Sequence, residues 1–506
     1  MKAFPTFLTI PLILLSVLPL PALAERPAPS DELIQLLNEK FNDARFSDAI
    51  WGAKIKSLET GKVWYERNAD QLLTPASNEK IPTSAATLEI LGPDYTFKTT
   101  FTAFGEVKEG ILHGELVAWG NGDPTLYTRF MKSPTELFET VAEVLKQKGI
   151  STITGNIVGD DNAFDDVHIG EGWKPGYLDA WYAAEFGPLQ LNENYVDIQI
   201  TPPTTAEGSV SIEPNLPSNY YEIINKIEVV TSGDSSMYAS RENGTRTIVL
   251  SGKAVVGKSG VERSPTVPNP TLWYTTVLKE TLEKNGITVQ GEAVDIDDAS
   301  GALLAALQTQ PSALVLEHRS APLSEILTGL MKRSQNMYAE TMPRLVAWEE
   351  TGKGTFDAGK ELIAIELERM GVEKGANHYV DGSGLSNLNK ISPNHIISIL
   401  EYMSKTSTHG ELWKSMQPIA GVDGTLSRRM KGTPAEGNVR AKTGTISGVR
   451  ALSGYVTTAD GEEFVFSFIV NNSTASNRAT EEVTDGALAL IADYDRTTAA
   501  TQPAGQ

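Results

Sequence analysis

Ser77-Asn78-Glu79-Lys80 sets a hydroxyl and an amine three residues apart, and it is the one S-x-x-K in the chain. At the start of a helix that spacing puts both side chains on one face, so the amine reaches the hydroxyl. A serine activated in this way needs no histidine. Two further strings carry groups suited to the same work: Ser334-Gln335-Asn336, an S-x-N, and Lys442-Thr443-Gly444-Thr445, a K-T-G-T. Acyl transfer at a serine requires a nucleophile, a base, an oxyanion hole and a clamp on the substrate. The three strings together supply side chains for those roles.

Each string alone is weak. S-x-N occurs again at Ser392-Pro393-Asn394, but there the proline and the run Ile396-Ile397-Ser398-Ile399-Leu400 read as a capped helix start, so Ser334 is preferred. K-T-G alone reads as a surface turn. It precedes a strand at 451–456, an Asp460-Gly461 turn and a second strand at 464–470.

As an ordered set, the motifs resemble the class C low-molecular-mass penicillin-binding proteins, which are D-alanyl-D-alanine carboxypeptidase/endopeptidases. Further stretches carry the likeness in the same order: Gly122-Asp123-Pro124-Thr125-Leu126, Leu191-Asn192-Glu193-Asn194, Asp381-Gly382-Ser383-Gly384-Leu385-Ser386 and Gly421-Val422-Asp423-Gly424-Thr425-Leu426. The long interval between Ser77 and Ser334 also fits, because the family carries a large insertion there. The resemblance implies that Ser77 is acylated by peptidoglycan stem peptides and by β-lactams, with Lys80, its pKa lowered by burial and by the like charge of Lys442, as base and Ser334 relaying a proton. It implies that Asn336 holds Lys80 and the substrate amide, and that Lys442, Thr443, Gly444 and Thr445 bind the substrate's terminal carboxylate. Asp179, in Trp173-Lys174-Pro175-Gly176-Tyr177-Leu178-Asp179, resembles the family's acidic contact to the dibasic residue of the stem, with Asp161, Asp165 and Asp166 as the alternatives nearby. The expected activity is D-Ala-D-Ala carboxypeptidase with endopeptidase cleavage of cross-links. The alternatives are a β-lactamase, or a catalytically silent cell-wall binding protein.

The elements that must position these groups form an α+β fold of the serine transpeptidase/β-lactamase type, an antiparallel sheet flanked by helices. An amphipathic helix is expected over 30–41, a hairpin over 50–57 and 63–65, the nucleophile helix after Pro75, and a closing helix over 481–491. Between about 96 and 312 short strand-like runs punctuated by Gly, Pro and Asn, one of them over 153–159, read as two β-rich inserted domains, one nested in the other, with a helix over 273–284. The boundaries expected are a signal peptide over 1–24, a discontinuous catalytic domain over 25–95 and 313–495, an outer insert over 96–200 and 285–312, a nested insert over 201–284, and a tail over 496–506.

Composition narrows the alternatives. The chain of 506 residues is 40% hydrophobic and has room for several globular cores. Lys2, an apolar run from Phe4 to Leu20 and Ala22-Leu23-Ala24 form a secretory signal with a cleavage site, so the protein is expected in the periplasm without a lasting membrane span. The absence of cysteine rules out disulfides, lipoprotein attachment and thiolate metal sites, and the six histidines lack zinc-peptidase spacing, so no cofactor is expected. A net charge of −21 argues against nucleic acid as a partner. Nothing in the sequence sets the oligomeric state.

Overall fold

The structure is a computed structural model that describes residues 29–242 and 244–496; the expected signal peptide and nearly all of the expected tail lie outside them. Five antiparallel strands form the central sheet in the order Arg440–Ile446, Val449–Thr457, Glu463–Asn471, Ile50–Ser57 and Val63–Arg67. The two ends of the chain therefore share one sheet. Helices Asp31–Phe41 and Asn477–Asp493 cover one face, burying Leu37, Phe41 and Leu488 against Trp51, Phe466 and Phe468. The other face carries Pro393–Lys405 and, behind it, a helical core built from Lys80–Leu91, Leu323–Arg333, Asn336–Thr351 and Phe356–Arg369. A sheet between two helical layers buries both of its apolar faces.

Local chemistry explains the element starts. Ser30 caps the first helix through the Leu33 N–H, Ser476 caps the last through Ala479, and Ser392 caps Pro393–Lys405 through His395. Ser392 is a cap, as its flanking proline suggested. The last helix begins four residues before the expected 481, because its first turn, Asn477-Arg478-Ala479-Thr480, has little apolar signal.

The insert departs further from expectation. Beside the expected helix, observed as Pro270–Lys284, it holds one that was not expected, Glu136–Gln147, and the two pack with the Phe138 and Tyr274 rings 4.7 Å apart. The single strand expected over 153–159 is two, Thr152–Ile153 and Ile157–Asp160, each parallel to Ile111–Gly120. Ser312–Arg319 pairs with Lys98–Lys108 in the same sheet, so this stretch packs with the insert although the catalytic segment was expected to resume at 313. Ile198–Thr201 is one strand between Ser211–Pro214 and Val261–Arg263, so a boundary at 200/201 would cut it. We propose boundaries near 320 and 197 instead. Among the described residues no helix is long and apolar enough to cross a membrane.

Gly454 is where the sheet leaves no room. It lies opposite Ala441, and a Cβ there would fall 2.1 Å from the Arg440 carbonyl oxygen. Gly454→Ala should cost about 1–3 kcal/mol by overpacking. Denaturant unfolding of the variant against the parent protein checks this.

Candidate active site

Ser77 and Lys80 sit where a 3₁₀ turn, Ala76–Glu79, runs into the helix Lys80–Leu91. Lys80 is fully buried. Its Nζ lies 3.1 Å from Ser77 Oγ, 2.5 Å from Asn336 Oδ1 and 2.6 Å from the Ser383 carbonyl oxygen. The last two atoms can only accept. A neutral amine has two hydrogens and one lone pair; the two acceptors engage the hydrogens, and the lone pair is left to face the serine hydroxyl. Asn336 cannot turn its amide over without loss, since its Nδ2 donates to the Tyr182 carbonyl at 2.6 Å.

Burial pushes the Lys80 amine down to about 7, against the opposing pull of Asp381, Glu340 and Glu79. The like charge of Lys442 was expected to share in that lowering. Instead the like-charge effect falls on Lys442, which burial first and Lys80 second hold well below the usual lysine range. The three carboxyl groups are themselves buried. Asp381 accepts the N–H groups of Gly384 and Ser386, both at 2.6 Å, and Glu340 accepts that of Ser383 at 2.9 Å. The Asp381-Gly382-Ser383-Gly384 turn is thereby fixed with its Ser383 carbonyl on Lys80.

Ser334 is the left-handed residue (φ +62) between helices Leu323–Arg333 and Asn336–Thr351. This kink turns its hydroxyl to Lys442, whose Nζ donates to Ser334 Oγ and to the Thr443 carbonyl, each at 2.8 Å. Lys442-Thr443-Gly444-Thr445 is not a surface turn. It lies within the edge strand Arg440–Ile446, and the Asn78 amide donates to the Lys442 carbonyl at 3.3 Å. That close approach explains Gly444: a Cβ there would meet the Pro75 carbonyl oxygen at 2.7 Å and Asn78 Oδ1 at 3.1 Å.

A cleft of about 610 Å³ opens over Ser77 and is lined by Ser334, Asn336, Thr443 and Thr445, with Tyr177, Trp181 and Tyr182 from the insert. Asp179 does not line it. Its loop delivers the aromatic residues on either side, while its own backbone carbonyl accepts the Thr266 N–H at 3.2 Å.

Two contributors were not assigned from sequence. Thr425 accepts a hydrogen bond from the Thr443 hydroxyl at 2.7 Å. Glu193, buried in the insert, accepts from Gln335 Nε2 at 2.6 Å, Tyr338 at 2.8 Å, Tyr195 at 2.6 Å and also from Arg129. It occupies the middle of three consecutive left-handed residues, Asn192, Glu193 and Asn194, a strained run that its own side chains tie down. The middle residue of the S-x-N motif is thus anchored to the insert.

Residues 33–493 match the family described as D-Ala-D-Ala carboxypeptidase 3 (S13), and the chain belongs to that family. It is a serine-type hydrolase of the D-Ala-D-Ala carboxypeptidase class. The chain is 32% identical to a D-alanyl-D-alanine carboxypeptidase of Actinomadura sp. (strain R39), over 96% of this chain and 90% of that protein. It is 27% identical to the D-alanyl-D-alanine carboxypeptidase DacB of Haemophilus influenzae, over 83% and 85% respectively. The fold superposes on the crystal structure of penicillin binding protein 4 (dacB) from Haemophilus influenzae with a TM-score of 0.77 and 23% identity, covering 92% of this chain and 100% of that one.

Below about pH 7 Lys80 holds a proton and its lone pair is lost. The acylation rate by a neutral-side-chain penicillin should therefore rise with pH and level off above about 7. Stopped-flow acylation between pH 5 and 9 tests this; a flat profile would remove Lys80 as the base.

Proposed function

We propose that Ser77 attacks the carbonyl joining two D-alanines, or joining D-alanine to the partner strand of a cross-link, and that the enzyme acts as both carboxypeptidase and endopeptidase. The observation that carries this reading is the Lys80 Nζ held between Asn336 Oδ1 and the Ser383 carbonyl and 3.1 Å from Ser77 Oγ, which in the neutral amine leaves the lone pair for the serine. The Ser77 proton passes to Lys80 as the Oγ–C bond forms, and the oxyanion rests on the backbone N–H groups of Ser77 and Thr445. As the C–N bond breaks, the Ser334 hydroxyl relays a proton to the leaving amine. Water then hydrolyses the ester. Lys442 with Thr443, Thr445 and Ser334 receives the carboxylate of the leaving residue, whose charge would offset the burial that lowers Lys442. Because that strand is at the edge of the sheet, a substrate backbone can pair along it.

β-Lactams fit the same site as acylating agents. A neighbouring structure of the same fold is described as penicillin binding protein 4 complexed with a novel beta-lactam, with a TM-score of 0.71 and 22% identity. We place the working enzyme in the periplasm, where its substrate is found. A serine hydrolase that releases its acyl group rapidly would be a β-lactamase instead, and a silent protein would not acylate at all.

Incubation with a fluorescent penicillin separates the three outcomes by stable label, transient label or none. Stable label is expected, and Ser77→Ala should abolish both label and D-alanine release with unfolding unchanged, since one small hydroxyl is removed. Retained labelling would dismiss Ser77 as nucleophile.

A recognition role for Asp179 rests on its place between Tyr177 and Trp181 and on the influence of its charge on the Tyr182 hydroxyl. Asp179→Asn should selectively lower kcat/KM for stem peptides with a free amine on the dibasic residue. An unchanged ratio between amine-bearing and amine-blocked peptides would end that assignment.

A further inference from the structure

A second chamber, of about 710 Å³, opens beside the catalytic cleft, and Trp181, Arg333 and Thr425 line both. Beyond that shared rim its walls include Tyr127, Tyr195, Asp197, Glu262 and Ser264 from the insert, facing Lys332 and Asp423 of the catalytic region. Neither part alone would enclose it.

Its place relative to the reacting bond follows from the proposed chemistry, on which this inference rests. If Ser77 and Thr445 hold the scissile carbonyl while Lys442, Thr443 and Ser334 hold the leaving residue's carboxylate, the acyl half of the substrate lies toward Ile446 and Ser447. The leaving half then lies toward Thr443 and Ser334. Thr443 donates to Thr425, and Arg333 directly precedes Ser334, so the leaving half points at the shared rim. A single D-alanine ends at the clamp. It has no use for a polar chamber in the size range of peptide and drug sites.

We propose that this second chamber is the subsite for the leaving peptide of a cross-linked substrate, a polar segment bearing carboxylates. The lining carries both signs of charge: Asp197 and Glu262 have no ion pair among the described residues and suit the N–H groups of a peptide, while the cations divide between paired and free. Arg129 is paired with Glu193 and Lys332 with Asp423. Arg333, exposed at the rim, has no hydrogen bond or ion pair among the described residues, which leaves its guanidinium for a ligand carboxylate. Deeper in, the Tyr127 and Ser264 hydroxyls already point at Asp197, at 3.1 and 2.6 Å, and form a polar wall able to exchange hydrogen bonds with a peptide backbone.

The test compares a monomeric stem pentapeptide with a cross-linked stem-peptide dimer as substrates of the full enzyme. Glu262 is exposed on strand Val261–Arg263 and lines the second chamber but not the cleft over Ser77. Glu262→Trp and, independently, Glu262→Phe narrow the chamber without adding a cation that a carboxylate could use. Either should lower kcat/KM for the dimer by about tenfold or more, while monomer cleavage and penicillin acylation stay within about twofold of wild type. Unchanged dimer cleavage in both variants, or equal losses on both substrates, overturns the subsite while leaving the endopeptidase reading standing. If the wild type cleaves the monomer and leaves the dimer intact, the endopeptidase reading falls, and the subsite falls with it.

Discussion

The structure turns on one buried amine. Lys80 has no exposed surface, and an ammonium without water is costly unless charge and hydrogen bonds compensate. Two acceptors, Asn336 Oδ1 and the Ser383 carbonyl, satisfy the hydrogens of the neutral form. Those acceptors lie about 250 and 300 residues away in sequence, at the start of one helix and in a turn held by buried carboxylates. The geometry on which the nucleophilic role proposed for Ser77 rests is therefore a property of the assembled helical core, not of the S-x-x-K string.

The carboxylates around that amine set a balance. Burial alone would push Lys80 far down and leave a weak base; Asp381, Glu340 and Glu79 pull it back toward neutrality. Glu340 is itself raised to about 7, by burial first and by Asp381 second. Glu79 is raised well above the ordinary range, again by burial and then by Asp381. The acids thus moderate one another as well as the lysine. A base with pKa near working pH combines availability with driving force, which neither extreme of charge would give.

How much of this was legible in sequence depends on whether the signal was local. Ser77, Lys80, Ser334, Asn336 and Lys442 were readable because reactive side chains in short strings stand out, and the terminal helices and hairpins because their periodicity is regular. The edge-strand nature of Lys442-Thr443-Gly444-Thr445 was hidden. A buried lysine beside a glycine has no alternation, and only the turn at Pro75 and Asn78 pressed against it explains Gly444. Glu193 was quoted only as part of a family-like stretch; its donors come from residues 129, 195, 335 and 338, which nothing in local sequence connects. Helix Glu136–Gln147 was missed although its apolar residues Leu137, Phe138, Val141, Ala142 and Leu145 repeat on a helical period. The surrounding short strands drew attention to period two.

The insert reaches the candidate site through that Glu193 anchor. The left-handed kink at Ser334 fixes where its hydroxyl points, and a single residue, Gln335, separates it from Asn336 on Lys80. A kink between two helices is free to rotate unless something grips its middle. Glu193 supplies the grip from the far side, and Tyr182 of the same insert holds Asn336 through its carbonyl. Both side chains of the motif that touch Lys80 and Lys442 are thus aligned by contacts from the insert, which also walls the cleft.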